Sequence, residues 1–242
     1  MKISTAYISD TGGREKNDDT VRMMPQSDGI CVFVGDGLGG YDGGRIASST
    51  AADVIEECRK SKSFLNDSNM QEAVSLADQA VWQQQKQRNG RMKTTLVVLS
   101  VEDDLAKWMH VGDSRLYHFT DGKLRRQTMD HSVSQVAVLM GEITQNEIRF
   151  HEDRNRVLRA LGSENAKPDI SSTIKLSGQR DAFLLCTDGF WEYVYENEME
   201  QSLDRAENPG QWLDEMLKLL RTRVPEDNDN FSAAIVFAER ES

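Results

Sequence analysis

CVFVGDGLGGYDGG, residues Cys31 to Gly44, decides how the rest of the chain is read. Its first four residues, Cys31-Val32-Phe33-Val34, form a short apolar run of the kind found in a fully buried strand. The run stops at Gly35-Asp36-Gly37, and Gly39, Gly40, Gly43 and Gly44 follow closely. A buried strand that delivers one carboxylate into nearly bare backbone suits a place where a cation or a phosphate must approach the main chain.

The phrase recurs. Trp108-Met109-His110-Val111-Gly112 ends at Asp113-Ser114, and Phe183-Leu184-Leu185-Cys186-Thr187 ends at Asp188-Gly189. Two further acidic positions precede apolar runs: Asp18-Asp19 before Thr20 to Met24, and Asp229-Asn230 before Phe231 to Phe237. In an antiparallel sheet the end of one strand lies beside the start of its neighbour, so these acids are expected on one edge. Clustered carboxylates without matching bases stay ionised only if something neutralises them, and divalent cations that prefer oxygen ligands are the natural candidates. Asp-Gly alone is not the signal. Asp28-Gly29 and Asp121-Gly122 sit between short strands and read as hairpin turns.

The 242 residues contain no proline- or serine-rich linker, low-complexity tract or long repeat, so one domain spanning 1–242 is expected. With 29 basic and 40 acidic residues the net charge is −11, which argues against nucleic acid or an anionic membrane as partner. Cys31, Cys58 and Cys186 are widely spaced, as buried hydrophobes in a reducing compartment are, and MKISTAYISD has no apolar stretch of signal-peptide length. A soluble, cytoplasmic protein is expected.

In order, strands are expected at 3–9, 20–24, 31–34, 94–101, 105–111, 116–119, 170–176, 182–186 and 231–238. Helices are expected at 45–60, at 70–88 capped by Asn66 or Asp67, at 196–203 and at 209–223. The first should bury Ile46, Ala47, Thr50, Ala51, Val54 and Ile55. Between Thr128 and Lys167 the pattern is mixed: Ser132 or Ser134 can cap one short helix, and Thr144 with Glu147 has the spacing of a capping box. Polar insertions of this kind commonly carry lids and substrate contacts. Hairpins at both ends of the chain with helices between them indicate α+β with antiparallel sheets, not a doubly wound fold. There is no GxxxxGK[ST] loop, HExxH pair or GxSxG elbow, and of the four histidines only His131 is kept as a candidate.

GREKNDD (13–19), VGDGLGGYDGGRIAS (34–48), TTLVVL (94–99), HVGDSRLY (110–117), TMDHS (128–132), VLRALG (157–162), LLCTDGFWE (184–192) and DNFSAAIV (229–236) occur in this order over nearly the whole chain. Together they resemble the metal-dependent PPM (type 2C) serine/threonine protein phosphatases in their short bacterial form. The resemblance implies a central antiparallel β-sandwich flanked by pairs of helices, with two Mg²⁺ or Mn²⁺ ions at one end. It implies that Asp36 bridges both ions, that the Gly37 carbonyl ligates one, and that Asp188 and Asp229 hold one. Asp18 or Asp19 assists, Asp113 matches the position of a third ion, and Arg14 grips the phosphate. Residues 133–165 correspond to a flap. The implied reaction is hydrolysis of phosphoserine and phosphothreonine in proteins by hydroxide generated at the metal pair, reversing a cognate serine/threonine kinase, with the enzyme a monomer. Two departures stand out. Asp18 occupies a position where Glu or Gln is common, which makes Asp19 the better ligand candidate, and Leu38 stands where eukaryotic members carry a leaving-group histidine. Two other readings compete: a phosphoprotein-binding regulatory module of the same fold, and a phosphoesterase acting on small esters or nucleic acid.

Overall fold

The structure, a computed structural model, describes residues 1–40 and 42–240; Tyr41, within the glycine-rich motif, lies outside the described residues. The chain begins with β1 (Lys2–Asp10), β2 (Thr20–Gln26), β3 (Gly29–Gly35) and the short β4 (Gly37–Gly39). Two long helices follow, α1 (Gly43–Ser61) and α2 (Asp67–Arg88). Then come β5 (Met92–Thr94), β6 (Leu96–Glu102), β7 (Leu105–Val111), β8 (Arg115–Thr120), β9 (Lys123–Gln127) and α3 (Val133–Leu139). After a 3-10 turn at Gln145–Phe150 the chain runs through β10 (Asp169–Ile170), β11 (Ile174–Lys175), β12 (Arg180–Cys186) and the single-turn α4 (Asp188–Trp191). It closes with α5 (Glu196–Leu203), α6 (Pro209–Arg223) and β13 (Phe231–Glu239).

One sheet has the order β1-β13-β12-β8-β9 and the other β10-β7-β6-β3-β2, with β11 also on β7. Their pairings are antiparallel. The sheets stack face to face, and Ile30, Val32, Val34, Val97 and Leu99 meet Leu116, Phe183, Leu185, Ala234 and Val236 between them. The alternate residues Cys31, Phe33, Leu96 and Val98 face α1 and α2 instead. On the opposite outer face Leu184, Ala233 and Ile235 pack with Trp212, Met216 and Leu220 of α6. Each central strand is therefore covered on both sides, which is why its sequence is continuously apolar and not alternating. The α+β sandwich is the expected class.

Asn66 caps α2, its side chain accepting from Ser68 N at 2.8 Å, and Ser132 caps α3 by accepting from Gln135 N at 3.2 Å. Three expectations change. The buried stripe of α1 is Ala47, Ser48, Ala51, Ala52 and Ile55, while Ile46, Thr50 and Val54 are half-buried. The helix turns this way because Ser48 points inward and donates to the Asp18 carbonyl at 2.6 Å. The strand expected at 94–101 breaks at Thr95: Thr94 pairs with Gly37, whereas Leu96 pairs with Val111. Residues 170–176 contribute only two short pairings with β7, because Ser171 replaces ladder bonds by accepting from Trp108 N through its own hydroxyl (3.0 Å).

Candidate metal centre

Strand ends build the site. Thr20 at the start of β2 pairs with Gly35 at the end of β3, so Asp19 and Asp36 leave the same edge. Cys186 at the end of β12 pairs with Ala233 near the start of β13, which brings Asp188 and Asp229 together across the other sheet. Thr187 ties the two sheets by donating its hydroxyl to Asp19 Oδ2 at 2.9 Å, while Ser232 N donates to the same Thr187 oxygen at 3.0 Å.

Asp36 is fixed through its main chain. Its N–H donates to Thr95 Oγ1 (2.8 Å), and its carbonyl accepts from Thr95 N (2.9 Å) and Thr94 Oγ1 (2.9 Å). Thr95 Oγ1 is in turn 2.7 Å from Ser114 Oγ, which links Asp36 to the loop holding Asp113. The break at Thr95 is thus the device that aims Asp36. The sequence offered Thr94-Thr95 only as part of an apolar strand, and the two threonines ahead of four apolar residues were the available signal.

Close approach explains two glycine pairs. A Cβ on Gly37 would stand 2.2 Å from the Gly44 carbonyl oxygen, and one on Gly44 would stand 2.7 Å from Asp18 Oδ2. The loop after Asp36, the start of α1 and Asp18 press together there. A Cβ on Gly12 (φ +56°) would stand 2.2 Å from the Asp229 carbonyl oxygen, so Gly12-Gly13 let the first loop lie against residues 226–229. That contact delivers Arg14 to Asp229, with Nε to Oδ1 at 3.2 Å and Nη2 to Oδ2 at 3.3 Å.

Asp19, Asp36, Asp113, Asp188 and Asp229 form one electrostatic unit. Burial pushes Asp36 well above the ordinary carboxylate range, and the charges of Asp188, Asp19, Asp113 and Asp229 all add to the effect. Burial raises Asp19 to about 7, with Asp188 adding and the Thr187 hydrogen bond opposing. Burial and then Asp229 raise Asp188 to about 6, and burial and then Asp188 raise Asp113. Asp18 stands apart. Its Oδ1 accepts from Arg45 N (3.1 Å) at the start of α1, and burial, then Asp42 and Asp229, move it upward.

Whether metal suits this nest is tested by Asp19, which is 7% exposed and whose Oδ1 is buried without a hydrogen-bond partner among the described residues. A buried carboxylate oxygen without a partner, close to Asp188 and Asp36, is a donor that suits a hard divalent cation. Among the described residues, His110, His131 and Asp169 bring three ligand atoms within 4.8 Å of one another.

The histidine triad does not suit a metal. Gly112 N donates to His131 Nδ1 (3.1 Å), so the ring proton sits on Nε2, which faces Asp169 Oδ2 at 3.4 Å. A metal on Nε2 would leave the imidazole with no proton at all, and Arg159 Nη1 already lies 3.2 Å from that nitrogen. Burial, with His110 and Arg159 adding, lowers His131 to about 4, so the neutral ring that accepts from Gly112 prevails. His131 N also donates to Gly112 O at 2.9 Å. His131 is a clamp on the turn at Gly112 (φ +104°) that leads into Asp113.

A helix-covered antiparallel sandwich with a carboxylate nest and an arginine at one end defines the class of metal-dependent phosphate-ester hydrolases. The protein phosphatase 2C family model matches residues 11–228, and the chain belongs to that family. The serine/threonine phosphatase stp of Listeria welshimeri is 30% identical over 224 residues, covering 89% of this chain and 88% of the relative. The crystal structure of the Mycobacterium tuberculosis serine/threonine phosphatase PstP/Ppp is 25% identical, covers 99% of this chain and 100% of its own, and superposes with a TM-score of 0.85. The catalytic domain of the serine threonine protein phosphatase PstP in complex with two manganese ions has a TM-score of 0.83 at 24% identity, covering 98% and 99%.

Proposed function

We propose that this chain is a metal-dependent protein phosphatase that hydrolyses phosphoserine and phosphothreonine in protein substrates. The observation that carries the reading is the unpartnered, buried Asp19 oxygen within a nest of mutually repelling acids, with Arg14 at its rim. Asp36, Asp19, Asp188, Asp229 and the Gly37 carbonyl would hold two Mg²⁺ or Mn²⁺ ions, and Asp113 a third. When bound, the ions lower the pKa of water to the neutral range and offset the charge of an in-line phosphoryl transfer.

The chain's own residues do the rest. Arg14 turns its planar fork from Asp229 to the non-bridging phosphate oxygens, where two parallel N–H bonds orient the ester. Thr94 and Thr95 keep Asp36 from swinging, because both main-chain polar groups of Asp36 are engaged. Leu38 offers no proton, so the leaving alkoxide takes its proton from solvent. Residues 133–165 act as the flap, anchored at Arg149, which donates to both Glu196 oxygens at 2.8 and 2.7 Å. Asp18, which stands where Glu or Gln is common, is engaged with α1, so that departure does not empty the nest.

A cognate serine/threonine kinase is the partner this activity requires. A cytoplasmic monomer is consistent with the free cysteines Cys31, Cys58 and Cys186, and among the described residues no helix is long and apolar enough to cross a membrane. The test is phosphate release from a phosphoserine peptide with Mn²⁺ and with chelator. Turnover that requires metal and disappears in Asp36→Asn is expected; metal-independent turnover, or none, overturns the reading.

A further inference from the structure

The loop that carries Asp36 also forms one wall of a second, unassigned cleft. It has a volume of about 540 Å³ and lies between Gly40, Asp42 and Gly43 on one side and Arg88, Asn89, Gly90, Arg91 and Met92 on the other. The charge there contradicts the rest of the molecule. Although the chain holds 40 acidic residues, none occurs from Gln79 to Val101, a stretch that contains Lys86, Arg88, Arg91 and Lys93. All four cations are exposed, and among the described residues none forms an ion pair. Arg88 and Arg91 line the cleft itself, facing Gly40, Asp42, Gly43 and Ile46 across it. The one acid on the rim, Asp42, is already neutralised by Lys16 at 2.6 Å.

Lysine and arginine at the end of α2 complement the helix dipole, which accounts for Lys86 and Arg88. It does not account for Arg91 and Lys93, which lie beyond the helix on the ribbon that carries Gly37. In that ribbon Gly37 pairs with Thr94, Leu38 with Lys93 and Gly39 with Met92. Arg91 is thus three residues from the register of Gly37, about 10 Å along the strand at about 3.3 Å per residue. An extended peptide covers the same distance in three residues. Unpaired cations lining a cleft at that distance are complementary to an anionic side chain.

We propose that this cleft recognises an anionic residue, a carboxylate or a second phosphate, lying about two to four residues from the phosphoserine or phosphothreonine being hydrolysed. The cleft selects substrate segments that are acidic or multiply phosphorylated. This rests on the phosphatase reading above, and its test is arranged to separate the two. Peptides carrying one phosphoserine are compared with versions bearing Glu, a second phosphoserine or Ala at two, three or four residues on either side. Each is assayed for Mn²⁺-dependent phosphate release and, by fluorescence anisotropy, for binding to the metal-loaded protein. The double variant Arg88→Gln/Arg91→Gln is run beside the native chain, with p-nitrophenyl phosphate as the substrate that has no flanking residues.

The expected result is a five- to tenfold preference in kcat/KM and affinity for at least one anionic position. It should fall to within twofold in the double variant and weaken steeply with salt, while p-nitrophenyl phosphate turnover stays unchanged. Glu and phosphoserine arms reveal which anion is preferred. Equal binding of the Ala, Glu and phosphoserine peptides, or a preference that survives in the double variant, overturns the inference. Loss of p-nitrophenyl phosphate turnover in the native chain overturns the phosphatase reading instead, and anisotropy still decides the cleft.

Discussion

Two polar regions lie side by side in this molecule, and they handle charge in opposite ways. Behind the site, Arg115 and Asp130, each side chain 1% exposed, form a bidentate pair at 2.8 and 2.7 Å. Arg115 also donates to Tyr117 Oη (3.1 Å) and lies 3.5 Å over the Trp191 ring, while Tyr117 passes its proton bond to Glu196, which Arg149 closes. Every charge there meets its opposite. Beside it, the five acids of the nest repel one another, and among the described residues only Arg14, at the exposed edge, forms an ion pair with one of them, Asp229. The two regions touch: Trp191 Nε1 donates to the Asp113 carbonyl at 3.0 Å. A completed network braces the fold, whereas an uncompleted one specifies what must arrive from outside.

The comparison breaks most visibly if single members are removed. Arg115→Leu strands Asp130 in the interior, and a loss of about 3–5 kcal/mol in unfolding free energy is expected by denaturant titration. Arg115→Leu/Asp130→Leu should recover much of it, since matched apolar groups remove the orphan charge. Asp36→Asn should behave oppositely. Relieving one repelling carboxylate leaves the metal-free stability unchanged or higher, while kcat/KM on a phosphopeptide falls about 10²–10³-fold, the scale seen when a transition-state electrostatic contact is lost. If both variants lost stability alike, the contrast between the regions would be wrong.

Proton linkage sharpens it further. Asp19 at about 7 and Asp188 at about 6 both lie above the ordinary carboxylate value near 3.8. Between roughly pH 4 and 7 the folded state therefore binds more protons than the unfolded chain, and these groups favour folding on the acidic side of that window. As pH rises through it, the metal-free protein loses their contribution. Metal must displace the same protons, so affinity for Mn²⁺ should increase from pH 6 to pH 8. A free concentration of about 100 times Kd then adds about 2.7 kcal/mol. Thermal melts with chelator and with Mn²⁺ at both pH values check this; a metal-induced shift that is larger at pH 6 would contradict it.

How much of this was legible beforehand follows the same division. The acids of the nest were readable because each ends or begins an apolar run, and antiparallel pairing turns that local fact into a shared edge. The sandwich was readable because β3 has no polar face to lose. The bracing network was not. Arg115 and Glu196 are far apart in sequence, and nothing local marks a buried arginine before its partners are placed. The grip of His131 on Gly112 was hidden for the same reason: spacing along the chain carries no record of which ring nitrogen faces an amide. The turned face of α1 escaped because Ser48 is polar by composition and buried by a bond to the Asp18 carbonyl.

Asp18 is where the smallest effect is expected, and it tests the boundary of the nest. N-cap Asp42 makes no side-chain bond to α1, being paired with Lys16, and Asp18 Oδ1 takes the Arg45 amide in its place. Asn serves such a position about as well as Asp, since the acceptor oxygen is retained. The lost charge at the helix N-terminus is worth about 0.3–1 kcal/mol and is partly returned by relief from Asp42 and Asp229. Asp18→Asn should therefore leave the melting temperature nearly unchanged and reduce kcat/KM no more than a few-fold. Asp19→Asn, the next residue but inside the nest, should lose far more activity and weaken Mn²⁺ binding. A fall beyond about tenfold in Asp18→Asn, reversed by raising Mn²⁺, would move the edge of the metal centre outward to include the start of α1.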